Sequence, residues 1–137
     1  MKRVLILCTG NSARSQMAEG LLRQEADGRF AVESAGTKPS HVRAEAIQVM
    51  REVGIDISGY RSKSVDEFAG QPFDLVLTVC DHARETCPVY PGHGDRVHHS
   101  FEDPAAVQGS EEERLQAFRR VRDEIQEYLR GFADERP

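Results

Sequence analysis

Apolar positions along this chain follow two rhythms. Short continuous runs bounded by charged or turn-forming residues alternate with longer stretches whose apolar residues recur every three or four positions. The first rhythm belongs to strands buried on both faces, the second to amphipathic helices. Arg3-Val4-Leu5-Ile6-Leu7 places a strand over Lys2–Cys8, and Met17, Ala18, Leu21 and Leu22 place a helix over residues 15–25. A second strand covers residues 30–35, ended by Gly36. A helix over 43–53 gathers Ala46, Ile47, Met50 and Val53 on one face, with Gly54 as its stop. A brief helix is expected over 65–69, and residues 73–80 form the clearest buried strand. Asp81 can cap a short helix over 81–86, and Pro88, Pro91, Gly92 and Gly94 make the following stretch a loop. A last strand covers 96–101. The long helix over 111–132 turns Leu115, Phe118, Val121, Ile125, Leu129 and Phe132 inward, and its acidic and basic residues read as a solvated face.

Strands alternating with helices predict an α/β fold, an open and mostly parallel sheet with helices on both faces. No linker, repeat or low-complexity segment divides the 137 residues, so residues 1–137 read as a single domain. The 39% hydrophobic and 30% charged content suit a globular protein. With 18 basic and 23 acidic residues the net charge is −5, which argues against a general nucleic-acid binder. A local positive pocket for a small anion remains compatible with that balance. No apolar run approaches the roughly 20 residues of a membrane span, and the apolar run before Cys8 is too short for a signal peptide. These features predict a cytoplasmic protein that is a monomer and engages neither membrane nor nucleic acid. Three cysteines in a reducing compartment point to thiol chemistry rather than structural disulfides.

The stretch Cys8-Thr9-Gly10-Asn11-Ser12-Ala13-Arg14-Ser15 joins the first strand to the first helix. A short loop between a strand and a helix is an anion cradle: loop amides converge on a tetrahedral oxyanion, backed by the positive end of the helix dipole. Thr9, Gly10, Asn11, Ser12, Ala13 and Arg14 are the expected oxyanion-binding residues, with Gly10 taking a conformation that side chains resist. Arg14 offers a planar, two-pronged donor. The same field should favour the thiolate of Cys8, the candidate nucleophile, and Ser15 is placed to hydrogen-bond its sulfur. Asn11 is expected to brace the loop, whereas Glu19 reads as a surface carboxylate.

In an α/β sheet, ligands bind beyond the carboxyl ends of the strands, where Cys8 and Cys80 both lie. Cys87 follows Cys80 by seven residues, or roughly 10 Å along an intervening helix, beyond the span of about 7 Å that a disulfide bridges. Unwinding that short helix would let the two cysteines act as a redox pair; two buried structural cysteines is the alternative. Zinc held by Cys80, His82 and Cys87 lacks the paired spacing of structural sites and an obvious fourth ligand, so no metal is assigned. His98 and His99 point to opposite faces of a strand and are not expected to chelate one ion. Asp103, fixed by Pro104 after the last strand, belongs on the same edge and can protonate an oxygen leaving an attacked oxyanion centre.

With these residues in place, the chain resembles the thioredoxin-coupled arsenate reductases built on the low-molecular-weight protein tyrosine phosphatase fold. The resemblance covers nearly the whole chain. It rests on the stretch from Cys8 through Gly20, on Ser34-Ala35-Gly36, Gly54-Ile55-Asp56-Ile57-Ser58, Asp74-Leu75-Val76 leading to Cys80, Cys87-Pro88, Phe101-Glu102-Asp103-Pro104-Ala105, and the run from Phe118 to Ile125. It implies four parallel strands in the order 2-1-3-4. It also implies that Cys8 attacks arsenate held by the loop and Arg14, with Asp103 as acid. Cys80 then attacks Cys8 and Cys87 attacks Cys80, leaving a disulfide for reduced thioredoxin, with no bound cofactor. Phosphate and sulfate would be substrate analogues. Some relatives hold potassium with residues matching Asn11, Glu19, Ser34 and an aspartate, where this chain has Lys63. A tyrosine phosphatase is the second reading, weakened by Ala105-Ala106 where such phosphatases carry tyrosines. An arsenic-binding module using the three thiols is the third.

Overall fold

The computed structural model describes residues 2–80 and 95–135. Strand β1 (Lys2–Cys8) takes an inner place, with Leu5, Ile6 and Leu7 sealed from solvent. It pairs in parallel with β2 (Phe30–Gly36) on one side and β3 (Leu75–Thr78) on the other. Strand β4 (Asp95–His98) pairs in parallel with β3, which gives the order β2-β1-β3-β4. A strand hydrogen-bonded on both sides and covered on both faces has no use for alternating polar residues, and the unbroken run Val4–Leu7 reflects that.

Among the described residues, three α-helices accompany the strands: α1 (Arg14–Ala26) between β1 and β2, α2 (Ala44–Glu52) between β2 and β3, and α3 (Glu111–Asp134) after β4. Short 3₁₀ turns occupy Val65–Phe68 and Pro104–Ala106. Helix α3 packs on both α1 and α2. Its start is set by a capping box: Ser110 accepts from the Glu113 backbone while Glu113 reaches back to Ser110. All six inward positions expected on this helix are buried. Its polar face is less uniform than the sequence suggests. Arg122 is only 8% exposed, because its guanidinium donates to the Val49 carbonyl (2.8 Å) and to Glu52 (2.9 Å) and so fastens α3 to the end of α2. In α2, Ala46, Val49 and Met50 form the buried face, while Ile47 is only partly covered. Val53 lies beyond the last helical residue and is half-buried. The left-handed φ of 82° at Gly54 ends the segment as anticipated.

The third and fourth strands are shorter than the hydrophobic run implies. Expected over 73–80, β3 pairs only over Leu75–Thr78. Asp74 is occupied by a terminal clasp, accepting from the Arg3 amide (2.7 Å) and donating to the Arg3 carbonyl (2.9 Å). At the other end Val79 donates to the Leu7 carbonyl (2.9 Å) and the chain then leaves the ladder. Expected over 96–101, β4 stops at His98 because the strand beside it has ended. Its continuation stays alongside: His99 donates to Thr78 (3.0 Å) and Phe101 to Val79 (3.1 Å). Those bonds carry Asp103 to the carboxyl edge of the sheet, where β1 ends at Cys8.

Candidate active site

Helix α1 begins without a side-chain cap, its cap position being Ala13. A helix start that lacks a capping oxygen leaves amides and the positive dipole end available to an outside anion. The loop ahead of it wraps Cys8. The Cys8 sulfur shares a hydrogen bond with the Ser15 hydroxyl (2.8 Å) and accepts from the Asn11 amide (3.2 Å).

The direction of the Ser15 proton follows from the network behind it. The Lys63 backbone amide, which can only donate, lies 2.8 Å from Asn11 Oδ1 and fixes the orientation of that side-chain amide. Asn11 Nδ2 therefore faces Ser15 Oγ (2.7 Å) and Ser34 Oγ (3.0 Å) as donor. Ser34 passes its own proton to Glu19 (2.6 Å). Ser15, accepting from Asn11, turns its hydroxyl hydrogen toward Cys8, the arrangement that favours thiolate. Glu19 is not the surface carboxylate expected from sequence. It is 2% exposed, paired with Arg23 at 2.9 Å and with Lys63 Nζ at 3.7 Å. An unpaired carboxylate at that depth would be costly, and the two cations explain how it is tolerated.

Gly10 does not have the special conformation expected of it. The left-handed residue of the loop is Asn11, with φ of 46°, held there by its buried amide contacts. The glycine that the loop does require is Gly36, at the end of β2. A Cβ there would lie 2.5 Å from the Thr9 carbonyl and 2.8 Å from the Asn11 amide. The loop rests directly on this backbone: Lys38 donates to the Thr9 carbonyl (2.8 Å) and Gly36 to the Lys63 carbonyl (2.8 Å).

The front of the loop opens into a cleft of about 240 Å³ lined by Cys8, Thr9, Gly10, Ser12, Ala13 and Arg14, with Ser40, Arg43, Asp103 and Ala105 around it. Asn11 is absent from this lining because it is sealed into the scaffold behind. Arg14 donates to the Phe101 carbonyl (3.1 Å) and faces Asp103 at 3.7 Å. Asp103 uses its other oxygen to accept from the Ala105 amide (3.0 Å), which starts the Pro104–Ala106 turn, so it is both turn former and cleft residue. Cys80 lies beyond the end of β3, buried, with its sulfur 3.3 Å from the Thr9 hydroxyl. Burial pushes the Cys8 thiol above its ordinary range, against the lowering pull of Ser15 and Arg14; Cys80 adds slightly to the rise. The expectation of a net thiolate-favouring field is thus corrected for the free loop, because the loop that supplies the donors also excludes water.

Cys87 and His82 lie outside the described residues. Among the described residues, no cluster of three or more His, Cys, Asp or Glu side chains could hold a metal. None of their helices is long and apolar enough to cross a membrane. His98 and His99 diverge: His98 Nδ1 bonds Thr78 Oγ1 (2.7 Å), whereas His99 stacks on Phe101 and Tyr128. Sequence reasoning missed Gln16, a buried side chain that donates to Asn11 and to the Arg61 carbonyl, and it missed Arg43. A glutamine within a helical pattern carries no local signal of this kind, since its partners lie up to 45 positions away.

The model of the low molecular weight phosphotyrosine protein phosphatase family matches residues 3–136. An arsenate reductase of Bacillus subtilis (strain 168) is 46% identical over 133 residues, 97% of this chain and 96% of the relative. A solved structure of an arsenate reductase in the oxidized state superposes with a TM-score of 0.81 at 33% identity, covering 98% of both chains. Another, an arsenate reductase in the phosphate binding state, gives a TM-score of 0.74 at 32% identity over 98% of each. The cysteine–arginine loop, the 2-1-3-4 parallel sheet and these full-length similarities together place the protein in the low molecular weight phosphotyrosine protein phosphatase family.

Proposed function

We propose that this protein reduces arsenate to arsenite, using Cys8, Cys80 and Cys87 in turn and drawing electrons from reduced thioredoxin. The observation that carries the reading is the second thiol: the Cys80 sulfur lies buried against Thr9 of the loop that holds Cys8. A phosphatase needs one thiol, whereas reduction needs a second to supply electrons. The relatives named arsenate reductases support the substrate.

In the reaction, the Cys8 thiolate attacks arsenic held by the loop amides and Arg14, and Asp103 gives a proton to the oxygen that departs. Cys80 then attacks the Cys8 sulfur. A sulfur–sulfur bond forms, the sulfur–arsenic bond breaks, and its electron pair stays on arsenic, which leaves as arsenite. Cys87 attacks Cys80 and frees the Cys8 thiolate. Thioredoxin reduces the Cys80–Cys87 disulfide by the same exchange chemistry, in which thiolate fraction and access set the rate. The raised Cys8 thiol gives the approaching substrate a second role: the proton must leave before attack, and a cleft oxygen of the oxyanion is a ready acceptor.

A tyrosine phosphatase remains the second reading, favoured by the family model and by Cys8, Arg14 and Asp103, which serve both reactions. Arsenate-dependent NADPH oxidation with thioredoxin and thioredoxin reductase, run beside a glutaredoxin system, separates the two. Turnover with thioredoxin is expected in the native protein. Cys87→Ser should release one arsenite per enzyme and stop as a Cys8–Cys80 disulfide, visible by peptide mapping, while retaining weak aryl phosphate hydrolysis. Aryl phosphate hydrolysis without any arsenate-dependent oxidation would decide for the phosphatase.

A further inference from the structure

Among the described residues, two guanidinium groups line the cleft, those of Arg14 and Arg43. Arg14 is already engaged, donating to the Phe101 carbonyl and facing the Asp103 carboxylate. Arg14 thus divides its donors between that carbonyl, that carboxylate and any bound oxyanion. Arg43 lies on the same cleft, at the position that caps helix α2, and its backbone amide donates to the Ser12 carbonyl of the loop (2.9 Å). Among the described residues its side chain faces no carboxylate within ion-pair distance. Its Nε is sealed from solvent and has no hydrogen-bond partner. A buried guanidinium donor without an acceptor is costly, and such groups are rare without a reason. Lys63, a buried cation near the loop, is paired with Glu19 behind it and does not line the cleft.

We propose that Arg43 is a second guanidinium donor to the bound tetrahedral oxyanion, setting affinity for the substrate rather than the rate of the chemical step. The inference deepens the arsenate reading by assigning the charge that matches a bound dianion. A phosphate monoester carries the same charge and differs by a bulky group on one vertex of the tetrahedron, so any preference of this site for unesterified oxyanions comes from the room left at the rim, where Arg43, Ser40 and Ala105 lie, and not from charge. The Arg43 contact is charge-assisted, so its loss costs about tenfold in affinity at low salt, and less as salt screens it.

The test is calorimetric binding of inorganic phosphate to the native chain and to Arg43→Ala, Arg43→Gln and Arg43→Lys, with thermal midpoints recorded for each. Arsenate KM and kcat are measured in parallel. The expected result is phosphate affinity reduced about tenfold in Arg43→Ala and Arg43→Gln and partly kept in Arg43→Lys. Arsenate KM should rise in step while kcat stays within about twofold. Unchanged phosphate affinity in a folded Arg43→Gln would overturn the proposal. So would equal losses in Gln and Lys variants that track a lowered thermal midpoint, because that pattern marks a helix-capping role. A protein that binds phosphate through Arg43 but reduces no arsenate would defeat the reductase reading alone and leave this inference standing.

Discussion

The back and the front of the Cys8 loop are built on opposite terms. Behind it, Asn11, Ser15, Gln16 and Ser34 are fully buried, and each is tied to at least one other member of a single polar network. In front, Asp103 is 44% exposed and held by one turn bond and a 3.7 Å approach to Arg14, and Cys80 meets the loop through Thr9. The donor directions at the back follow from the Lys63 amide and the Glu19 carboxylate, and among the described residues only Gln16 Oε1 is sealed there without a partner. The front is made of the groups that exchange protons, electrons or ligand in the proposed reaction. A rigid rear fixes where the sulfur sits, since small displacements of a reacting atom lower rates steeply. A lightly held front leaves room for chemistry that changes partners.

Four perturbations test this contrast, from the largest effect to the smallest. Cys8→Ser removes the group on which back and front converge. Both arsenate reduction and aryl phosphate hydrolysis should fall to background, and retention of either near the native level would remove Cys8 from the mechanism. Asp103→Ala strips the front alone. The single-turnover rate should fall by roughly 10² to 10⁴, the usual range for a positioned acid, while phosphate still binds. An unchanged rate reduces Asp103 to its turn-forming role with Ala105.

The third perturbation strikes the back. Gly36→Ala drives a methyl group into the Thr9 carbonyl and the Asn11 amide, both backbone and unable to yield. A stability loss of about 1–3 kcal/mol is expected from such overpacking, together with weakened phosphate binding. Gly10→Ala is the control: its Cβ meets Ser12 Oγ at 3.2 Å, the end of a side chain that can rotate away, so both quantities should change little. Equal effects at the two glycines would contradict the account of the loop. Thermal midpoints and phosphate titrations read both variants.

The smallest effect is the pH response of Cys8. Its folded value lies above that of the unfolded chain, chiefly through burial. The neutral thiol therefore contributes stability fully below the ordinary thiol value of about 8.5, and this contribution is lost as pH climbs from there through the raised value. Cys8→Ala should flatten the alkaline limb of the stability profile. Iodoacetamide labelling of Cys8 in the ligand-free protein should rise into the alkaline range, and Ser15→Ala should move that rise to still higher pH. A labelling midpoint below that of a free thiol would show that the donors outweigh burial.

Much of the fold was legible in the chain because its signals are local. The sequence pattern located every α-helix and strand within the described residues, and the capping pair Ser110 and Glu113 stands beside the helix it starts. Strand length was not local. β3 and β4 end where their neighbours end, which no property of residues 73–80 or 96–101 records. The cysteine–arginine loop was also legible, since Cys8, Arg14 and Ser15 lie within one strand–loop–helix unit, and the Ser15–Cys8 bond formed as its spacing suggested. What surrounds the loop was not. Glu19 reads as a surface carboxylate until Ser34, Arg23 and Lys63 converge on it. Gly36 looks like a strand terminus until the Thr9 carbonyl approaches it. The sign of the Cys8 shift depends on burial that only packing creates. The sequence by itself determined the order of elements and the loop that carries Cys8 and Arg14, because covalent neighbours and helical period encode them. Tertiary structure alone decided which polar groups are dry, which way their protons point and which cation faces the cleft, because burial and hydrogen-bond partners arise between residues distant in the chain.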